Sequence, residues 1–181
     1  MLQIQGFNGQ KVNYNTLGTS TLLSAPRLSL AAKLVRMQGK AVATVMHQLA
    51  LAANGERLVV AATSADLVVR LYNGALLVRR GSRTVTPGQG ITAQLSANGK
   101  ALTVSVNNAV TGPLTLRVTL NTLKPTGQRY LNAYVTLQRQ PTRALGGVLG
   151  ATIRPAPSRA AGQRGKAAGA AAEPMTASIV L

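Results

Sequence analysis

The chain has no cysteine and no tryptophan, one phenylalanine, one histidine and three acidic residues, Glu56, Asp66 and Glu173. Each scarcity removes a class of explanation. Without cysteine there is no disulfide framework and no thiolate chemistry, and no redox compartment can be read. With so few aromatics the core has to be built from Leu, Val, Ile and Ala, and stacking platforms for single-stranded nucleic acid are nearly missing. No apolar run reaches the roughly 18 residues of a membrane span. The opening MLQIQGFNG has neither the charged n-region nor the apolar h-region of a signal peptide. No Asn-x-Ser/Thr acceptor occurs.

What is present is a chain of 181 residues, 46% of them hydrophobic. A chain of this size buries roughly 70% of its unfolded surface, enough for one domain with a real core. Charge is lopsided. Twenty basic residues stand against the three acids, for a net charge of +17. Sixteen of the basic residues lie before position 151, so the basicity belongs to the domain and not to a tail alone. Such a balance favours polyanions: nucleic acid, acidic polysaccharide or an anionic membrane surface.

Gly90 to Val106, GITAQLSANGKALTVSV, carries the strongest structural signal. Asn-Gly flanked by alternating hydrophobics predicts a hairpin, because a type I′ turn needs positive φ at both central residues. Folding about Asn98-Gly99 opposes Leu95 with Leu102, Ala93 with Val104 and Ile91 with Val106, all apolar. The other face pairs Gln94 with Thr103 and Thr92 with Ser105. A one-residue slip would expose the whole apolar set.

The rest of the chain follows the same scheme. Gln3 to Leu17 reads as a strand pair around Asn8-Gly9, with Phe7, Val12 and Tyr14 as its apolar members. In Thr21 to Val35, Leu28, Leu30 and Ala32 alternate with polar residues, and Pro26 marks a strand start or break. Gln38-Gly39-Lys40 is a turn. Ala41 to Ala53 has helix-like Ala and Leu content, but folding about Asn54-Gly55 opposes Leu51 with Leu58 and Leu49 with Val60, which favours a hairpin. Asp66 to Arg80 is a third hairpin, opposing Leu71 with Leu76 and Val69 with Val78. Thr86-Pro87-Gly88, Thr111-Gly112-Pro113 and Lys124-Pro125-Thr126-Gly127 read as turns. Leu114, Leu116, Val118 and Leu120 share one face of a strand, Tyr130 to Leu137 is another, and Leu145 to Gly150 is a glycine-rich stop.

Four Asn-Gly turns, strand spacings of roughly 8–12 residues and no convincing helix predict an all-β fold, an antiparallel β-sandwich built from successive hairpins with a disordered C-terminal tail. The domain is expected over 1–153. Residues 154–176, rich in Ala, Gly, Pro and Arg without periodicity, read as the disordered tail or linker. Residues 177–181 are too short to assign.

The ordered set of features resembles a von Willebrand factor type D-like domain, of the root-cap type found in plants and green algae. The residues that carry the resemblance are Gly6-Phe7-Asn8-Gly9-Gln10-Lys11-Val12, Leu22-Leu23-Ser24, Leu71-Tyr-Asn-Gly-Ala-Leu-Leu-Val78, and Tyr130 to Leu137 followed by Gly147-Val148-Leu149-Gly150. They cover about residues 4 to 153. The family's Gly-Asp-Pro-His opening is replaced by Met1-Leu2-Gln3-Ile4, its Phe-Asp-Gly aspartate by Asn8 and its signature cysteine by Val148. The family's calcium site and cysteine pairing therefore do not carry over, since a hard cation needs several oxygen ligands. The missing opening predicts a chain cut at its N-terminus. The resemblance implies a secreted or extracellular structural module.

Candidate chemistry is sparse. His47 falls, on the hairpin register, on the face of Leu49 and Leu51 and reads as a core or edge histidine. A metal site would need partners that the sequence lacks. A Ser-His-Asp set could be drawn formally from His47, Asp66 and a serine, but no Gly-x-Ser-x-Gly elbow accompanies it. Gly146 to Gly150 lacks the Lys-Ser/Thr of a phosphate-binding loop and reads as a turn that ends a strand. The densest basic cluster is Arg79, Arg80 and Arg83, whose guanidinium forks suit sulfate, carboxylate or phosphate. The sequence therefore predicts no enzyme and no cofactor or metal. The expected module is extracellular or wall-associated, and its basic surface associates with acidic polysaccharide or partner proteins. The alternative is a basic RNA-associated protein such as an organellar ribosomal or assembly component.

Overall fold

The computed structural model describes residues 2–39, 43–71, 75–78, 84–88, 90–108, 111–124, 126–141, 143–153 and 174–181. The described chain is built almost wholly of antiparallel strands. In chain order these are β1 (Leu2–Gln5), β2 (Lys11–Tyr14), β3 (Gly18–Ala25), β4 (Leu28–Arg36), β5 (Thr44–Ala53), β6 (Glu56–Ala62), β7 (Leu67–Leu71), β8 (Leu76–Val78), β9 (Val85–Gly88), β10 (Ile91–Leu95), β11 (Ala101–Asn108), β12 (Gly112–Thr122), β13 (Arg129–Leu137) and β14 (Met175–Val180). A single helical turn, α1 (Gly147–Gly150), precedes β14.

The strands form one hydrogen-bonded network with two halves. The first runs β3-β4-β5-β6-β7-β8 and the second runs β2-β1-β14-β13-β12-β11-β10-β9. They are joined through Leu131 of β13 opposite Met46 of β5. Period-two alternation gives each half one apolar face. Leu28, Leu30, Leu49, Leu51, Leu58 and Val60 of the first half and Leu102, Val104, Leu116, Val118, Leu131 and Val135 of the second are all buried in one cluster. At about 1.5–3 kcal/mol for each large side chain buried, this cluster is the main favourable term in folding.

Polar contacts lace the halves together at both ends. At one end Asn54, whose N–H donates to the Arg27 carbonyl of the same half at 3.0 Å, donates from Nδ2 across to the Asn107 carbonyl at 2.9 Å. Asn108, nearly fully buried, donates from Nδ2 to the Pro26 carbonyl at 3.3 Å and accepts from Thr111 N–H at 3.2 Å. At the other end Leu67 N–H donates to the Gly99 carbonyl at 3.0 Å. Gln128 there accepts from Gln38 N–H at 2.7 Å and donates to the Arg36 carbonyl at 3.0 Å. Among the described residues no buried side-chain nitrogen or oxygen lacks a partner, as burial of polar groups requires.

The sandwich of hairpins expected from the sequence is therefore what forms. The β10–β11 register pairs Leu95 with Leu102, Ala93 with Val104, Ile91 with Val106, Gln94 with Thr103 and Thr92 with Ser105, as the alternation dictates. The β5–β6 hairpin likewise pairs Leu51 with Leu58 and Leu49 with Val60, so the Ala/Leu-rich segment is strand from Thr44 onward. Tertiary pairing overrides its helical propensity.

Several local expectations need correction. At Asn98-Gly99 only the glycine is left-handed, with φ 70°, so the turn is not type I′. Instead Asn98 Oδ1 accepts from Lys100 N–H and from Ser96 Oγ. A Cβ on Gly99 would stand 2.6 Å from Asp66 Oδ1. The paired positive φ values occur at Asn54-Gly55, 51° and 91°. In the third hairpin Val69 pairs with Val78 as expected, but Leu76 opposes Arg70 and not Leu71, because the register shifts between Val69 and Arg70. Its Asn73-Gly74 turn lies outside the described residues. Thr86-Pro87-Gly88 is strand β9 and not a turn; β9 is at the end of the sheet, where a proline without an N–H is tolerated. In the first strand pair the buried members are Leu2 and Ile4, and Val12 is 45% exposed, because β2 is an edge strand.

Two further corrections concern the end of the chain. Leu145 to Gly150 is not a turn that ends a strand. Gly146 forms a bridge with Ser24 of β3, N–H to carbonyl in both directions at 2.8 and 2.9 Å, and α1 follows on that edge. Gly147, at φ 83°, touches the backbone of Leu22 so closely that a Cβ would fall 2.7 Å from its carbonyl carbon. The pairing of β3 with β4 shifts between Thr21 and Leu23, and both Leu22 and Leu23 are buried there. Residues 175–181, by contrast, are not an unassigned end. Met175 and Thr176, placed by composition in the tail, begin β14, which lies between β13 and β1 and bonds to both. Ala177 and Ile179 alternate into the core and hold it there. Of the tail expected over 154–176, residues 154–173 lie outside the described residues.

Candidate polyanion-binding surface

Arg79, Arg80 and Arg83, the basic cluster singled out in the sequence, lie outside the described residues. His47 is described, and its place differs from expectation. Gln48 of β5 opposes Lys33 while Met46 opposes Leu34, so His47 is the extra residue of a β-bulge. The bulge breaks the alternation: Met46 and Leu49 are buried, whereas His47 is half-buried beside a cleft shared with Thr63, Ser64, Gln128 and Arg129. It does not share the face of Leu49. Among the described residues no three His, Cys, Asp or Glu side chains gather as a metal site would require.

The cations are on the outside. Of the twelve described basic residues all are exposed except Arg129, which is half-buried and donates to the Thr122 hydroxyl. The acids are unevenly placed. Glu56 begins β6 and Asp66 sits in the β6–β7 turn, both in the first half of the sandwich. A cleft of about 440 Å³ at one end is lined by Arg27, Arg57 and Glu56, so a carboxylate shares it with the two guanidinium groups.

The two outer sheet faces differ in kind. On the first half small apolar residues fill the centre of the outward face, and Lys33, Gln48, Arg57 and Arg70 also stand on it. Ala31, Ala50 and Val59 form one row across β4, β5 and β6, which ends on Arg70 of β7. On the second half the outward residues hydrogen-bond. One row crosses β10 to β14 as Thr92, Ser105, Thr115, Thr136 and Thr176, and the Thr136 and Thr176 hydroxyls are 3.2 Å apart. Two residues along the strands a second row runs Gln94, Thr103, Arg117, Tyr134 and Ser178, then passes through Gln5 of β1 to Lys11 of β2. At about 4.8 Å between strands, Arg117 and Lys11 are about 19 Å apart in this row. Tyr130, opposite Asn121 on the same face, has its phenol pushed above the usual tyrosine range by burial.

The polar residues of β10 and β11 were visible in the sequence as one face of a hairpin. Their continuation through β14 and β1 to Lys11 was not, because it depends on pairings between segments far apart in the chain. No family model and no curated protein matches the chain.

Proposed function

We propose that the protein is a non-enzymatic structural and binding module, secreted and associated with an extracellular matrix or cell wall. Its basic surface associates with acidic polysaccharide or with partner proteins that carry it. The reading includes the resemblance to root-cap-type, von Willebrand factor type D-like domains drawn from the ordered motifs. The observation that carries it is the excess of exposed cations: eleven of the twelve described basic residues are exposed, against two described acids, Glu56 and Asp66, both half-buried. A surface of this kind attracts polyanions, and neither acid lies in the outward rows of β10 to β14. Among the described residues no helix is long and apolar enough to cross a membrane.

The competing reading is a basic RNA-associated protein, supported by the net charge of +17 and the Arg-bearing 154–173 segment. Binding of the full chain to polygalacturonate, heparin and a structured RNA across a salt titration separates the two. The polysaccharide reading expects saturable binding to a polysaccharide that persists near physiological ionic strength, with RNA weaker. Preferential RNA binding selects the competing reading. Equal, weak binding to all three that vanishes at modest salt leaves only diffuse charge attraction and overturns the proposal.

A further inference from the structure

We infer that the outer face of β10 to β14, continued through β1 to β2, is a track on which one linear polyuronate chain lies across the strands. This rests on the polysaccharide reading above and adds the place of contact. Arg117 is exposed near the middle of the row, with Thr103 on one side and half-buried Tyr134 directly opposite on the other. The row then reaches Lys11 through Ser178 and Gln5. Carboxylates of such a chain meet Arg117 and Lys11 as charge-assisted hydrogen bonds. Its hydroxyls meet the Thr, Ser and Gln side chains between, and a sugar ring has the face of Tyr134 to lie on. The parallel row through Thr115 and Thr136 adds hydroxyls about 7 Å away along the strands.

Charge spacing selects this class of polymer over nucleic acid. Duplex DNA carries one negative charge per ~1.7 Å of axis and is held by many phosphate contacts. Two cations about 19 Å apart, separated by uncharged hydrogen-bonding groups, cannot neutralise such a density. They suit a chain in which acidic groups alternate with hydroxyls. Neither described acid is on this face to repel it.

The test uses the full chain, polygalacturonate oligosaccharides as the probe, and calorimetric or thermophoretic titration. Arg117→Ala removes one charge-assisted contact and is expected to weaken binding about tenfold or more. Thr136→Val keeps the side-chain shape and removes one hydroxyl, for an expected loss of about threefold. Lys33→Ala and Arg70→Ala remove the same unit of charge from the opposite face and are expected to change affinity less than about twofold. Circular dichroism and melting of each variant confirm that it folds. If the wild-type chain binds but the four variants lose affinity alike or not at all, the track is wrong and the polysaccharide reading stands. If the wild-type chain shows no saturable binding to polygalacturonate, or binds RNA in preference, the polysaccharide reading falls and the track falls with it.

Discussion

Arg117 of β12 and Tyr134 of β13 stand directly opposite each other on the outer face of the second sheet half. Arg117 has a second neighbour in Thr103 of β11, so strand register sets its position between an aromatic residue and a hydroxyl-bearing one. Cross-strand neighbours of this kind couple by about 0.2–1 kcal/mol. A double-mutant cycle with Arg117→Ala and Tyr134→Ala, read by denaturant unfolding, should give a favourable coupling in that range. Strict additivity would mean that the two side chains do not touch in solution.

Gly99 is fixed by two independent constraints, a φ of 70° and the carboxylate of Asp66, which would stand 2.6 Å from a Cβ. Gly99→Ala should therefore destabilise by at least about 1–2 kcal/mol, the cost of a left-handed non-glycine residue. In an Asp66→Ala background the loss should be smaller, since one of the two obstacles is gone. Thermal and chemical unfolding of the two single variants and the double variant measure the difference.

Ile179 is fully buried in β14, the strand that fills the gap between β13 and β1. Ile179→Ala should cost about 2–5 kcal/mol, as for other buried aliphatic truncations. Deleting residues 175–181 should abolish cooperative unfolding, because it strips hydrogen-bond partners from β13 and β1 together. Loss of only a fraction of a kcal/mol in the point variant would mean that β14 is not docked.

Tyr130 gives a dependence on alkaline pH. Its phenol titrates above the usual tyrosine range in the folded chain because burial disfavours the phenolate. The folded state thus holds the proton more tightly than the unfolded state. The stability linked to it is full below the unfolded tyrosine value, about 10, and declines as the pH rises from there through the higher folded value. Tyr130→Phe should flatten this decline in unfolding free energy above about pH 10, and an unchanged slope would contradict it.

Much of the fold was legible because it is local. Ile91 to Val106 announces its own register through alternation, and the β5–β6 hairpin does the same around Asn54-Gly55. What could not be read was either non-local or a departure from period two. The bulge at His47 moves that side chain off the Leu49 face, and no composition signal marks it. Six residues, Met175–Val180, are too few to declare themselves a strand, and only β1 and β13 make them one. The outer track is hidden for the same reason. Arg117 and Lys11 are 106 positions apart in the chain and become members of one row only through four successive strand pairings. The Arg79 to Arg83 cluster, by contrast, is dense in sequence, which does not report spacing on a surface.

A polyanion that lies on the outer face of the second sheet half leaves a localised footprint there. The most direct measurement is a chemical-shift map of the isotope-labelled chain titrated with a polygalacturonate oligosaccharide. Saturable shifts should concentrate at Thr103, Thr115, Arg117, Tyr134, Thr136 and Ser178, with Ala31, Ala50 and Val59 of the opposite face unmoved. Shifts centred on the Arg27 and Arg57 cleft, or spread evenly over both faces without saturation, would contradict it.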